Sequence, residues 1–320
     1  MIPDTQVAMT ESKQTMTTPV LVGDVGGTKT LLRLFDPRGV ALLTERFESK
    51  GAGLGELVAA FLAAPQVRAF GAPQVAVFGV AGPVLDGVCE TTNLPWLIDE
   101  RALESTLGLR RVRLLNDFEA TAYGVLSVAR EHLVTLQAGA PRPQAPIAVI
   151  GAGTGLGEAI LAFSGADYVV LPTEGGHGDF APRSEVDDLV LRALRAKLGR
   201  VSVERVVSGL GIVEVYDCLR EAAVERESAA VAAELADGDP GAVIGGHALA
   251  GDDPLCVRTI DFFISAYGAE AGNMALRTLA RGGVYVTGGI APKLLPKLQS
   301  GAFLRAFLDK GRMSDLVAQI

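Results

Sequence analysis

The sequence predicts an α/β fold in two domains. Short apolar, β-branched segments bounded by glycine alternate with longer segments of helical composition, the pattern of sheets layered with helices. The chain has 320 residues, against about 100–200 for a typical domain. A strand–glycine turn–strand unit occurs near Val25 and again near Gly151, a weak internal duplication.

Thr18 to Val25 is short and apolar and reads as a buried strand. Gly26-Gly27-Thr28-Lys29 is a turn, Thr30 to Phe35 completes a hairpin, and Val40 to Phe47 extends the meander. Gly55 to Ala64 has helical composition. Gln74 to Val80 is another buried strand, stopped by Ala81-Gly82-Pro83. Asp99 caps a helix to about Leu107. Arg111 to Leu115 is a strand with Asn116-Asp117 at its end, and Phe118 to Val128 is helical. The pattern restarts near Ala145: Ile147 to Gly151 and Glu158 to Phe163 are strands flanking the turn Ala152 to Gly155. From Ser184 helices dominate. The longest, Asp253 to Leu279, carries Ile260, Phe263, Ile264, Tyr267, Ala271 and Met274 on one stripe. Gly283 to Val286 is a late strand. The expected organisation is a disordered N-terminal extension over residues 1–18, a small α/β domain over residues 19–115 to which the chain returns near its C-terminus, and a larger helix-rich α/β domain over residues 116–320.

Hydrophobic residues make up 49% and charged residues 21%, enough apolar material for a sizeable core. A formal net charge of −8 argues against a nucleic-acid partner, which would want a basic patch. Cys89, Cys218 and Cys256 are widely spaced and form no C-x-x-C pair, so reduced thiols in the cytoplasm are expected. Residues 1–18 lack the apolar stretch of a signal peptide. The most apolar region, Ala145 to Ala166, is broken by glycines at 151, 153, 155 and 157 and reads as two strands, not a membrane span.

Neither glycine-rich turn is a familiar nucleotide loop. In Gly151-Ala152-Gly153-Thr154-Gly155-Leu156-Gly157 the sixth position is Leu156, and a strand follows, whereas a dinucleotide fingerprint needs glycine there and opens a helix. Gly23 to Lys29 places Thr28 where a Walker A loop needs glycine. What remains is a pair of turns whose consecutive N–H groups can cradle phosphate, with Thr28 and Thr154 adding hydroxyls. Asp24, at the mouth of the first, suits phosphate only if a divalent cation mediates, and Mg²⁺ is content with one or two carboxylates plus water and phosphate. As plain hairpins the same turns need no ligand.

Asn116-Asp117 ends a strand and precedes a helix, where open α/β sheets place ligands; a helix cap is the alternative reading of Asp117. In Glu174-Gly175-Gly176-His177-Gly178-Asp179-Phe180 the glycines allow bends that aim Glu174 and His177 into one space. Glu204 alone reads as an acid in the first turn of a helix. Together, acids, an amide and an imidazole suit the hydroxyls of a sugar, and an acid near phosphate turns suggests phosphoryl transfer.

LVGDVGGTK, LLNDFEATAYG, GAGTGLG, EGGHGDFAP, ERVVSGLGI and GGVYVTGGIAPK occur in that order, with TTNLPW at 91–96 and Gly272-Asn273. These motifs resemble the bacterial glucokinases from about Val20 to the end. The resemblance implies the actin-like ATPase (ribonuclease H-like) fold, two α/β domains with a cleft that closes on sugar and ATP. It implies transfer of phosphate from ATP to the 6-hydroxyl of glucose, the first step of glycolysis, with Asp117 as catalytic base. Asn116, Asp117, Glu174, His177 and Glu204 become sugar ligands. Gly23, Asp24, Val25, Gly26, Gly27 and Thr28 become the first phosphate turn, and Gly151, Gly153, Thr154 and Gly155 the second. Thr287, Gly288 and Gly289 lie beside the adenosine. Mg²⁺ is implied, with Asp24 reaching it through water, and so is a homodimer.

Two departures qualify the match. The GGTK form of the first turn also occurs in related sugar kinases that carry a cysteine-rich zinc motif after the histidine; Gly178 to Pro182 holds no cysteine, so no zinc is expected. In the family, a segment like KGRMSDLVAQI is followed by a further strand and helix, so a weakened nucleotide site is expected. A non-catalytic sugar sensor and a kinase for another hexose stand as alternatives.

Overall fold

Val20–Val25 (β1) turns Leu21, Gly23 and Val25 inward and leaves Asp24 exposed, the period-two pattern of a half-buried strand. The computed structural model describes residues 17–92 and 94–320; the expected disorder of residues 1–16 lies outside them, as does Asn93. The described chain divides into two compact units between Ala120 and Thr121.

In the first unit, β2 (Lys29–Phe35) and β3 (Ala41–Glu48) continue from β1 as an antiparallel meander. Helices α1 (Leu54–Ala63) and α2 (Pro65–Phe70) lead to β4 (Val75–Val80). A small antiparallel sheet follows, β5 (Val84–Leu85), β6 (Val88–Glu90) and β7 (Leu97–Asp99), then α3 (Glu100–Leu107), β8 (Arg111–Asn116) and the start of α4 (Asp117–Val125). The main sheet has the order β3-β2-β1-β4-β8, with β1, β4 and β8 parallel. Leu21, Leu32, Phe61, Phe78 and Leu114 form its core. Asp99 caps α3, as expected, by accepting from Ala102 N at 2.9 Å. The strands of β5–β7 are too short to show a period, and Pro65 at the first turn makes α2 a separate helix from α1.

In the second unit, β9 (Ile147–Ala152), β10 (Leu156–Phe163) and β11 (Tyr168–Thr173) form another antiparallel meander. Then come α5 (Glu185–Leu198), α6 (Gly209–Glu221), α7 (Ala229–Asp237), α8 (Pro240–Ala250), α9 (Pro254–Thr278), β12 (Gly283–Thr287), α10 (Leu295–Gln299), α11 (Ala302–Leu308) and α12 (Ser314–Val317). The sheet order is β11-β10-β9-β12, with β12 parallel to β9. Every residue of β9 is buried, as expected of a strand covered on both faces.

Helix α9 starts with the side chain of Asp253 accepting from Cys256 N at 2.8 Å and Pro254 in its first turn. The whole expected stripe is buried, but so are Phe262, Ala266, Ala269 and Gly272. A methyl on Gly268 or Gly272 would collide with the backbone of Phe303 or Phe307. Small residues thus let α11 lie directly on α9, which is the central helix of this unit and not an amphipathic surface helix.

The late strand was expected where the chain returns to the first domain. Instead it completes the second sheet, and the segment after it folds back on the same unit: Phe303, Phe307, Val317 and Ile320 join the second core. Among the described residues no helix is long and apolar enough to cross a membrane.

Candidate active site

In the first unit the register Val25↔Val80↔Asn116 brings the carboxyl ends of β1, β4 and β8 level. The Gly26–Thr28 turn, the Ala81-Gly82 loop and Asn116-Asp117 therefore share one end of the sheet. The turn closes through Gly26 N donating to Lys29 O at 3.0 Å, and Ser49 Oγ donates to Gly26 O at 2.8 Å. Asp24 and Thr28 are exposed. Gly23 and Val25 face the core: a methyl on Gly23 would collide with the Phe78 ring, and Val25 is 2% exposed. The glycine at 23 is thus a packing requirement, and both residues offer a ligand only backbone.

Asn116 has two structural tasks. Its Nδ2 donates to Gly82 O at 3.0 Å, and its Oδ1 accepts from Phe118 N at 2.9 Å. It therefore pins the end of β8 to the loop after β4 and caps α4, the role weighed for Asp117. Asp117 is the first residue of α4, and its Oδ1 accepts from Phe118 N at 2.7 Å. Asp117 keeps contact with solvent, yet the protein around it desolvates the carboxyl and raises its pKa. The Asp24 charge adds to the rise, while the Phe118 N–H opposes it. Thr92, of the TTNLPW motif, lies beside this end of the sheet, since its N donates to Ala81 O at 3.2 Å.

In the second unit the structure brings together the acids and imidazole of three separated sequence positions. Glu204, in a 3-10 turn Val203–Arg205, reaches β10, where its Oε2 accepts from Leu156 N at 2.9 Å. Its Oε1 lies 3.7 Å from His177 Nδ1, and His177 Nε2 lies 3.7 Å from Glu174 Oε2. The imidazole thus sits between two carboxylates. The loop is held by Val203 N donating to Gly178 O at 2.9 Å and Arg200 Nη2 donating to His177 O at 2.6 Å. Its glycines answer to packing: a methyl on Gly175 would collide with the Glu158 carboxylate, and one on Gly176 with Leu156 O.

The second turn spans Gly153-Thr154-Gly155, closed by Gly153 N donating to Gly155 O at 2.8 Å, with Thr154 exposed at its tip. A methyl on Gly155 would lie 2.5 Å from Glu204 Oε2, so the turn and the Glu204–His177 cluster are neighbours. Gly151 pairs with Thr287 at the parallel ends of β9 and β12, which places Thr287-Gly288-Gly289 beside the turn.

These two clusters sit in a chain whose residues 21–320 match the glucokinase family model. The chain belongs to the glucokinase family. The glucokinase of Nostoc sp. is 44% identical, covering 95% of this chain and 93% of that relative. Among solved structures, the glucokinase of an Antarctic psychrotroph superposes with a TM-score of 0.81 at 30% identity, covering 95% of this chain and 93% of that one. A ROK family glucokinase from Streptomyces griseus, solved in complex with glucose and AMPPNP, shares the fold with a TM-score of 0.59 at 21% identity, covering 94% and 97%.

Two residues beside these clusters carry no signal of a role in the sequence motifs. Glu158 is buried directly beneath Gly175, and its Oε1 has no hydrogen-bond partner among the described residues. Burial, with the nearby Glu270 charge, raises its pKa to about 7, against the opposing pull of Arg277. Tyr267 reaches the end of β9 from α9. An acid amid the apolar residues of β10 was the available signal for Glu158; nothing in the stripe of α9 distinguishes Tyr267 from its neighbours. Among the described residues no group of three or more His, Cys, Asp and Glu is placed to hold a metal ion. Asp24 is an exposed carboxylate beside the Gly26–Thr28 turn, a donor that fits Mg²⁺ carried mainly by phosphate and water.

Proposed function

We propose that this chain transfers the γ-phosphoryl group of ATP to the 6-hydroxyl of glucose, with Asp117 as general base. The observation that carries the reading is the placement of Asp117: an acid with a raised pKa, fixed at the first turn of α4, level with the Gly26–Thr28 turn at the same end of the sheet. Family membership supplies the reaction class.

The Asp117 carboxylate accepts the hydroxyl proton as the sugar oxygen bonds to the γ-phosphorus and the bond to the β-γ bridging oxygen breaks, releasing ADP. A raised pKa makes Asp117 a stronger proton acceptor than an ordinary carboxylate. Glu174, His177 and Glu204 bind sugar hydroxyls, with the Leu156 N–H and Glu174–His177 contacts pre-setting their orientation. Asn116 places Asp117 and offers its remaining amide hydrogen to the sugar. The Gly26–Thr28 and Gly153–Gly155 turns present N–H groups and the hydroxyls of Thr28 and Thr154 to phosphate, and Thr287 to Gly289 border the adenosine. Mg²⁺, held through water by Asp24, would neutralise phosphate charge. Catalysis of this kind is mostly positioning and electrostatics.

A coupled ADP-release assay with Mg-ATP across a hexose panel tests the reading. Glucose is expected to give the highest kcat/KM. ADP release no faster with any hexose than without sugar would overturn it.

A further inference from the structure

We propose that the hydroxyl of Tyr267 is a positioning group for the nucleotide, locking the second glycine turn to the segment that follows β12. The proposal rests on the reading of Gly151–Gly155 and Thr287–Gly289 as ATP-binding.

Tyr267 lies in the middle of α9 and is fully buried. Its hydroxyl accepts a hydrogen bond from Ala152 N at 3.1 Å. It also stands 3.2 Å from Ile150 O and 3.1 Å from Thr287 O, to either of which it donates. One side chain thus ties the ends of two neighbouring parallel strands, just where each passes into a nucleotide segment. Ala152 is held from its other side as well: its carbonyl accepts from Ile290 N at 3.2 Å, and Gly288, at φ +86°, lies so close that a methyl would collide with the Ala152 backbone. The phosphate side and the adenosine side of the site therefore meet at one residue, Ala152.

The ring packs against Phe263 and Phe303, each with centroids 5.7 Å away. Phenylalanine would make the same ring contacts, so the core does not call for the oxygen. A buried hydroxyl is costly unless it is bonded, and this one is bonded only to the backbone of the two segments. Burial also raises its pKa, which keeps it a donor throughout the physiological range.

The test is Tyr267→Phe in the full chain, with KM for ATP, KM for glucose, kcat and Tm measured together. Losing one backbone-positioning hydrogen bond is expected to raise the KM for ATP about three- to tenfold, with the KM for glucose unchanged. A general structural defect would instead move both KM values, or kcat and Tm alone; either result, or an unchanged KM for ATP, overturns the proposal. Thr154→Ala is measured alongside. If it raises the KM for ATP and Tyr267→Phe does not, the hydroxyl link is wrong and the nucleotide assignment stands. If neither variant moves it, the assignment falls and the proposal with it. Should Tyr267→Phe not fold, amide exchange in the wild-type chain decides: Ala152 and Ile290 are expected to slow together on adding Mg-ATP and not on adding glucose, and unchanged exchange at both overturns the link.

Discussion

At Asp117, burial and the neighbouring charge of Asp24 act in the same direction, and both raise the carboxyl's pKa. A general base works only when deprotonated, so kcat/KM must fall on the acid side as pH drops through this value. Asp24→Asn removes one of the two raising influences. Its acid limb should therefore move to lower pH than that of wild type, whatever happens to the height of the profile. A limb that stays in place or moves up would show that the two carboxylates are not coupled as their placement implies. Residue roles were only half legible in sequence. Asp117, Glu174 and His177 were visible as chemistry-bearing types at a strand end or between glycines, whereas Glu204 read alone as an ordinary helix-start acid and gained a role only from the family resemblance. That Asn116 and Asp117 would share the Phe118 N–H, with Asn116 alone also reaching Glu119 N, is a matter of rotamers that no spacing reveals.

The loop that carries Glu174 and His177 shows what its glycines do. Gly176 abuts Leu156 O, a backbone atom that cannot move aside, whereas Gly153 at the tip of the second turn has open space where a methyl would go. Gly176→Ala should lower stability by about 1–3 kcal/mol, the range for overpacking, and weaken glucose binding by displacing Glu174 and His177. Gly153→Ala should leave stability within about 1 kcal/mol of wild type. Thermal melts and glucose titrations of the pair would check this, and equal effects would remove the packing explanation. In the sequence Gly175 and Gly176 read as freedom to bend; in the structure they leave room for Glu158 and Leu156.

Glu158 itself gives this element a pH signature. Its pKa rises from 4.5 in the unfolded chain to about 7, so the folded state holds the extra proton. The associated stability is full below the lower value and is lost as pH rises through the higher one. Glu158→Gln keeps the shape without the charge. Relative to wild type it should gain stability between about pH 5 and pH 8, by about 1.4 kcal/mol for each unit of the removed shift. Denaturant melts at both pH values check the sign, and a variant that loses ground as pH rises would contradict it. Strands such as β1, β4 and β9 were legible because their burial is either alternating or complete. β11 was not, because Val170 is its only fully buried residue and Pro172 interrupts the pattern.

Across the molecule, the two main sheets repeat one arrangement: an antiparallel meander of three strands, then a strand parallel to the first. The repeated strand–glycine turn–strand unit in the sequence is the local trace of that duplication. The rest of it rests on pairings between distant strands, β1 with β4 and β9 with β12, which no short-range pattern encodes. Each unit has its own core and carries its own glycine turn and acids, and the proposed reaction requires a general base. That requirement concentrates on Asp117, the one residue asked to take the proton. The decisive measurement is ADP release with Mg-ATP and glucose by wild type and Asp117→Asn side by side, with glucose binding followed by calorimetry. Asparagine keeps the shape but cannot accept the proton, so kcat should fall by about 10²–10⁴-fold while glucose still binds. A variant that turns over near the wild-type rate would contradict the assignment of Asp117 as the base.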